Sequence, residues 1–229
     1  MLEKKDKNRY THSSQNPLPS AIRFAALAVD AVCFRIHEGN LEVLMGKVTS
    51  PHNTFNGQWA HIGGLIQVHE TAEEAVTRLL KDKAGITDTY IEQLYTFSNP
   101  KRDPRGRVVS VAYIALVNET TEQNALEANI ETKWLPIAEL PKLAYDHNEM
   151  TTIAHDRLMA KIMYTDIVRH LMPKEFTFSD LQKVYEIVLG EVMDKRNFRK
   201  RITSLNVLHD TKKTIKKGVM RPASLFSFK

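Results

Sequence analysis

Residues 63–86 read GGLIQVHETAEEAVTRLLKDKAGI. From Ala72 to Lys83 apolar residues recur at Ala75, Val76, Leu79 and Leu80, the spacing of one face of a helix. Strand signals lie on both sides of this helix. Upstream, IRFAALAVDAVCFRI (22–36) and LEVLMGKV (41–48) are rich in β-branched and apolar residues, and Gly39 and Asn40 between them favour a hairpin turn. Downstream, Tyr90 to Phe97, Val108 to Val117 and Ile130 to Trp134 carry the same signal, and a second helical pattern runs from Asn148 to Leu171. Helices set among such strands predict an α/β sandwich with a mixed or mostly antiparallel sheet.

The spacing inside the quoted stretch is specific. Gly64 is followed after five residues by Glu70, after seven more by Arg78, and then by Leu79, Leu80, Asp82, Lys83, Gly85 and Ile86. This resembles the Nudix box, G-x5-E-x7-R-E-U-x-E-E-x-G-U with U apolar. The resemblance implies three metal-binding carboxylates at the positions of Leu79, Asp82 and Lys83. Positions i, i+3 and i+4 share a helix face, but here that face holds one short acid. Magnesium needs oxygen ligands in near-octahedral array, and Leu79 supplies none. Lys83 adds a positive charge, and two unit charges ~4 Å apart at an effective dielectric of about 20 interact by roughly 4 kcal/mol, with a dication suffering about twice that. The expectation is a retained pocket without metal, cofactor or hydrolysis. A residual hydrolase would have to use Glu70, Glu73, Glu74 and Asp82. Glu73 and Glu74 read as the solvated side of the helix, and Glu70 with Arg78 reads equally well as a pair bracing the loop.

The chain has 229 residues, 42% of them hydrophobic, enough for a real core in one or two domains. Its N-terminus, MLEKKDKNRYTHSSQNPLPS, is charged and polar, and reads as a flexible tail over residues 1–20 rather than a signal peptide. The most apolar stretch, FAALAVDAVCF, is interrupted by Asp30 and too short to span a bilayer. One cysteine, Cys33, rules out an internal disulfide, and a cytoplasmic location is expected. Charge is unevenly divided: from Lys161 onward there are 15 Lys plus Arg against 7 Asp plus Glu, whereas the preceding 160 residues hold 17 against 20. Two domains with different partners follow, at 21–155 and 156–229, the second suited to a polyanion.

In the first domain FSNPKRDPRGRVV gathers Lys101, Arg102, Arg105 and Arg107 around Pro104 and Gly106. A proline-glycine turn explains the loop, and four cations fit phosphates or acidic neighbours, since arginine can hold phosphate bidentately. His52, His61 and His69 match no standard metal-ligand spacing. Trp59 reads as core or pocket wall.

After Pro173, Ser179-Asp180-Leu181-Gln182 fits the capping pattern S-x-x-Q. Leu181, Val184, Tyr185, Val188 and Leu189 form the apolar face that follows, Gly190 closes the helix, and Asp194 can cap the next. In that next helix Phe198, Ile202 and Leu205 fall on one stripe, with Arg196, Arg199, Lys200 and Thr203 opposite, Lys195 at the flank and Arg201 nearer the apolar side. A helix pair with such a face suits the major groove. Lys212, Lys213, Lys216 and Lys217 precede Gly218, and Arg221-Pro222 leads into the strand SLFSF, a candidate wing with a basic tip. An RNA adaptor could use the same charges, but RNA readers usually show aromatic stacking platforms, which this face lacks.

The degenerate box, the segments RDPRGRVVSVAY and LAYDHNEM, and the C-terminal FTFSDLQKVYEIVLG, DKRNFRKR and RPASLF units together resemble the Nudix-related transcriptional regulators of the NrtR branch. The resemblance covers essentially the whole chain. It implies a Nudix α/β/α sandwich with a mixed sheet followed by a winged-helix DNA-binding domain. It also implies a homodimeric repressor on double-stranded operator DNA, released by ADP-ribose or a related NAD metabolite and controlling NAD metabolism. Other branches answer to sugars. The implied effector contacts are Lys47, Trp59, Gly63, Gly64, Glu70, Arg78, Arg102, Arg105 and Arg107. The implied DNA contacts are Lys195, Arg196, Asn197, Arg199, Lys200, Thr203, Lys212, Lys213, Lys216, Lys217 and Arg221. His61-Ile62-Gly63-Gly64 stands where the family has L-P-G-G, and Met220-Arg221-Pro222-Ala223 where it has G-R-P-A.

Overall fold

A computed structural model describes residues 24–118, 130–216 and 222–229. The expected N-terminal tail and the wing-tip residues Lys217, Gly218, Val219 and Arg221 lie outside these residues. Seven strands form one mixed sheet: β1 (Ala26–His37), β2 (Asn40–Lys47), β3 (Trp59–Ala60), β4 (Ile62–Leu65), β5 (Tyr90–Phe97), β6 (Val108–Leu116) and β7 (Thr132–Pro136). β1 is the hub. It pairs antiparallel with β2 and β4 and parallel with β6, which in turn pairs with β5. The β1–β2 turn places Glu38 and Gly39 at φ of 47° and 82°, two successive left-handed residues that suit the twist of a tight hairpin and that glycine adopts without penalty.

Alternation along the hub strands sorts the core into two layers. Val29, Ala31 and Cys33 of β1 with Tyr113 and Ala115 of β6 pack under α1 (Ala72–Ala84), against Ala75, Val76, Leu79 and Leu80. Val32 and Phe34 with Ala112, Ile114 and Leu116 face the other way, toward α2 (His147–Ile162) through Met150, Ala154, Leu158 and Ile162. That second layer continues into the C-terminal unit. Phe176, Leu181, Val184, Tyr185, Val188, Phe198 and Ile202 belong to the same cluster, so the two domains share one apolar body. The unit comprises α3 (Phe178–Leu189), α4 (Lys195–Leu205) and an antiparallel ribbon of β8 (Leu208–Ile215) and β9 (Ala223–Phe228).

The structure revises several expectations. The short strands β3 and β4 were not expected; they flank His61 and set the glycine pair against β1. β7 runs two residues later than the Ile130–Trp134 signal. The helical pattern 148–171 breaks after Ile162 and resumes as a 3-10 turn at Ile167–Leu171. At the break the Thr165 hydroxyl and N–H both bond the Lys161 carbonyl, at 2.8 and 2.9 Å, and the hydroxyl accepts from the N–H of Ile167, starting the next turn. α3 is capped by Thr177 rather than Ser179. Two backbone hydrogen bonds between Phe176 and Phe226 hold the chain extended up to Thr177, and Thr177 and Asp180 then exchange the reciprocal bonds of a capping box. Gln182 turns inward instead, donating to Glu186 and to the Met193 carbonyl. In α4 Phe198 and Ile202 are buried, but Leu205 is 43% exposed because the helix ends there, at left-handed Asn206.

Replacing Thr177 by alanine is therefore expected to cost about 1 kcal/mol of stability in denaturant unfolding, whereas Ser179→Ala stays within about 0.5 kcal/mol. Equal effects would contradict the assigned cap.

Candidate functional site

A cleft of about 290 Å³ opens at the end of the sheet where β1, β2 and β4 meet the β5–β6 loop and the start of α2. Its floor holds a buried carboxylate. Asp30 sits in mid-β1 on the face toward α2, accepts from Ser110 Oγ at 2.6 Å and from Arg102 Nη2 at 3.3 Å, and lies 3.6 Å from His147 Nε2. Arg102 also clamps Asp146 bidentately, at 2.9 and 2.8 Å. Burial pushes the Asp30 carboxyl up, but His147, Ser110 and Arg102 outweigh it and hold the group at about 2. Gly63 is required here, since a Cβ on it would lie 1.9 Å from Asp30 Oδ1.

Above the carboxylate two imidazoles stack, with ring centres 5.0 Å apart. The backbone N–H of His61 donates to His147 Nδ1 at 2.9 Å, which leaves the His147 ring proton on Nε2, toward Asp30. His61 Nε2 faces Thr151 Oγ1 at 2.9 Å, and that hydroxyl already donates to the His147 carbonyl. His61 Nε2 is therefore the donor, and its Nδ1 is a buried acceptor with no partner among the described residues. Burial and the neighbouring His147 lower the His61 pKa to about 3, so the ring is neutral at physiological pH.

The expected effector residues divide. Lys47, Gly63, Gly64, Arg102 and Arg105 line this cleft. Trp59, Glu70, Arg78 and Arg107 do not. Trp59 packs on the α2-side core. Arg78 spends its guanidinium on Glu70 at 2.8 and 2.5 Å, and Glu70 also accepts from the Gln67 N–H, so the pair braces the loop before α1. The Arg78 hydrogen bonds hold the Glu70 carboxyl at about 2. Arg107 donates to the Ser98 carbonyl and ties the β5–β6 loop to itself. The four cations of that loop do not form one cluster: Asx-type turns at Asn99 and Asp103 send Arg102 inward and pair Arg105 with Asp103. Asp30, His61, Ser110, Tyr145 and His147 were not foreseen as a group. Asp30 within an apolar run was the available signal.

The metal face of α1 is dismantled. Leu79 is buried in the α1-side core, Asp82 is exposed and lies 4.0 Å from Arg78, and Lys83 Nζ donates to the Gly63 carbonyl at 2.6 Å. With Glu70 already saturated by Arg78, these residues do not fit a divalent cation. Among the described residues no group of three His, Cys, Asp or Glu could hold one.

On the C-terminal unit α4 exposes Lys195, Arg196, Asn197, Arg199, Lys200 and Thr203. Arg199 lies 4.7 Å over the ring of Phe178, which fixes its stem against α3. Arg201 leaves the face and donates to the Met163 carbonyl. In the ribbon Lys212 pairs with Asp210 and Lys213 with Glu175, while Lys216 is exposed. Among the described residues no helix is long and apolar enough to cross a membrane.

A Nudix-type sandwich welded to a basic winged helix defines a DNA-binding regulator with its own ligand domain. Residues 26–155 match the NUDIX domain model and residues 168–228 the NrtR DNA-binding winged helix domain. The ADPR responsive transcriptional repressor NtrR of Acinetobacter baylyi is 33% identical over 207 residues, covering 88% of this chain and 81% of the relative. Shewanella oneidensis NrtR, solved in complex with a 27mer DNA, superposes with a TM-score of 0.78 at 34% identity, over 89% of this chain and 93% of that one. The Shewanella Nudix domain, solved with ADP ribose, gives a TM-score of 0.53 at 36% identity, over 62% and 94%. An ADP-ribose pyrophosphatase of Methanocaldococcus jannaschii is 35% identical over 125 residues, 55% of this chain and 70% of that protein. The chain belongs to the NrtR family of Nudix-related, ligand-responsive transcriptional regulators.

The buried pair sets a pH dependence. His61 has a lowered folded pKa, so the unfolded chain binds a proton that the folded one refuses, and stability falls as pH drops from about 6.5 toward about 3. Asp30, also lowered, contributes stability that is present above about pH 4 and lost toward about 2. Denaturant unfolding between pH 7 and 4 is expected to show a limb approaching ~1.4 kcal/mol per pH unit from His61, and His61→Leu should flatten it.

Proposed function

We propose that this protein is a homodimeric repressor that binds operator DNA through α4 and the β8–β9 wing, and that ADP-ribose or a close NAD metabolite in the Nudix cleft weakens this binding without being hydrolysed. One observation carries the reading: the helix face that would hold a catalytic metal carries Leu79 and Lys83, on a chain whose α4 exposes Lys195, Arg196, Arg199 and Lys200. The fold and cleft of a diphosphate hydrolase are kept while its metal chemistry is lost, which leaves binding as the use of the site. The ADPR responsiveness of the Acinetobacter relative and the ADP ribose complex of the Shewanella Nudix domain support ADP-ribose as the ligand. A fragment of NAD is a natural signal for genes of NAD metabolism. Large exposed apolar side chains at Phe24, Leu27, Leu65 and Val68 support self-association. The fully buried Cys33 fits a reducing, cytoplasmic setting.

Titrating ADP-ribose into a preformed complex with operator DNA should release the DNA, and linkage requires operator to weaken ADP-ribose binding by the same factor. The nucleotide should be recovered intact with magnesium or manganese present. AMP release at an enzyme-like rate, on the order of 1 per second, would restore the hydrolase reading, and release by a pentose instead would assign the protein to the sugar-responsive branch.

The DNA face divides by role. Two recognition helices related by a dyad read half-sites about one helical turn, ~34 Å, or a multiple apart, so the operator should be a near-palindrome. Arg196→Ala is expected to cost roughly 1 to 3 kcal/mol on the operator and to relax preference at one position per half-site, whereas Lys216→Ala should weaken binding to all duplexes and lower the salt dependence. Fluorescence anisotropy on specific and scrambled duplexes at two salt concentrations checks both. The stacking on Phe178 makes Arg199 less suited to this test, since its removal should also cost about 0.5 to 1 kcal/mol of stability.

A further inference from the structure

Lys83 occupies a metal-ligand position of the box, yet its ammonium is not turned away to solvent. It reaches across to the Gly63 carbonyl and forms part of the cleft wall beside Gly64. Leu79, one turn earlier, fills the space under the same wall, 3.1 Å from where a Gly64 Cβ would stand. The other cations of the cleft are engaged: Arg102 by Asp30 and Asp146, Arg105 by Asp103, Lys47 by Glu131. Among the described residues lining the cleft, Lys83 is the lysine or arginine with no carboxylate within ion-pair distance. An ammonium has three donors and the Gly63 carbonyl takes one, so two N–H groups remain for a ligand.

We propose that Lys83 is a built-in counter-ion, binding the diphosphate of the ligand from the place where the Nudix box puts a divalent metal, so that this cleft takes diphosphates without metal. Charge logic supports the exchange. A dication beside a fixed ammonium is repelled, whereas a diphosphate gains a charge-assisted hydrogen bond from it. The same substitution thus removes the cofactor and replaces its binding role. A single positive charge held by a carbonyl polarises the phosphates less than a dication and supplies no activated water, which agrees with retention of the ligand intact.

This rests on the reading of the cleft as a diphosphate site, and inorganic pyrophosphate separates the two. Calorimetric titration of the full-length protein with ADP-ribose and with pyrophosphate, in EDTA and in magnesium, should give wild-type affinities within about threefold of each other across the two buffers. Lys83→Gln should bind both probes on the order of tenfold or more weakly, and Lys83→Arg should keep most of the affinity. If pyrophosphate binds through Lys83 and ADP-ribose does not bind, the ligand reading fails and the counter-ion stands. A magnesium requirement in the wild type, Lys83→Gln binding within about threefold of wild type, or failure of both probes to bind overturns the proposal. The wild-type comparison needs no variant, so a Lys83→Gln protein that fails to fold leaves the test intact.

Discussion

The carboxylate of Asp30 must be neutralised inside the sheet, and the elements around it are arranged to do so. A buried charge without partners costs several kcal/mol, and no single neighbour here would suffice. Ser110 comes from the strand parallel to β1, Arg102 from the β5–β6 loop, His147 from the first turn of α2, and the glycine that leaves room comes from β4. Each provider belongs to a different segment, so satisfying this one group fixes the loop, the helix start and the short strand relative to the hub strand. The cleft is the space these four segments enclose.

The regular elements were legible because their signals are local. α1 declares itself in a stripe of four apolar residues, and the central strands in runs rich in β-branched and apolar residues. The site was legible only in part. Gly63 and Gly64 were found through a motif, whereas His147 lies 86 positions from its partner His61 and no spacing rule connects them. Asp30 looked like an interruption of an apolar run, and only the pairing of β1 with β6 shows that it shares a face with Ser110. The arginine-rich loop misled in the opposite direction. Four cations close in sequence suggested one cluster, but the three arginines were each captured by a nearer acid or carbonyl.

Helix ends show the same limit at short range. Ser179 and Thr177 offer equally good capping chemistry, and the choice between them falls to a bridge between Phe176 and Phe226, about fifty residues away along the chain. Leu205 belongs to the buried stripe by angle, yet its helix stops before the stripe is covered. Periodicity gives direction around an axis. Where the axis begins and ends is decided by contacts that periodicity does not contain.

α2 has its two ends in different company. At its start the cap residue Asp146 is clamped by Arg102 and His147 faces Asp30, and farther along His155 donates to the Val188 carbonyl at the close of α3. Sixteen residues make a rod of about 24 Å. A pivot of roughly 5° about one end of such a rod moves the other by ~2 Å, enough to shift a groove-reading helix out of register with its base pairs. The apolar cluster on α2 continues into α3 and α4, so the helix whose first turn faces the carboxylate of the cleft is packed along its length into the core of the DNA-facing half.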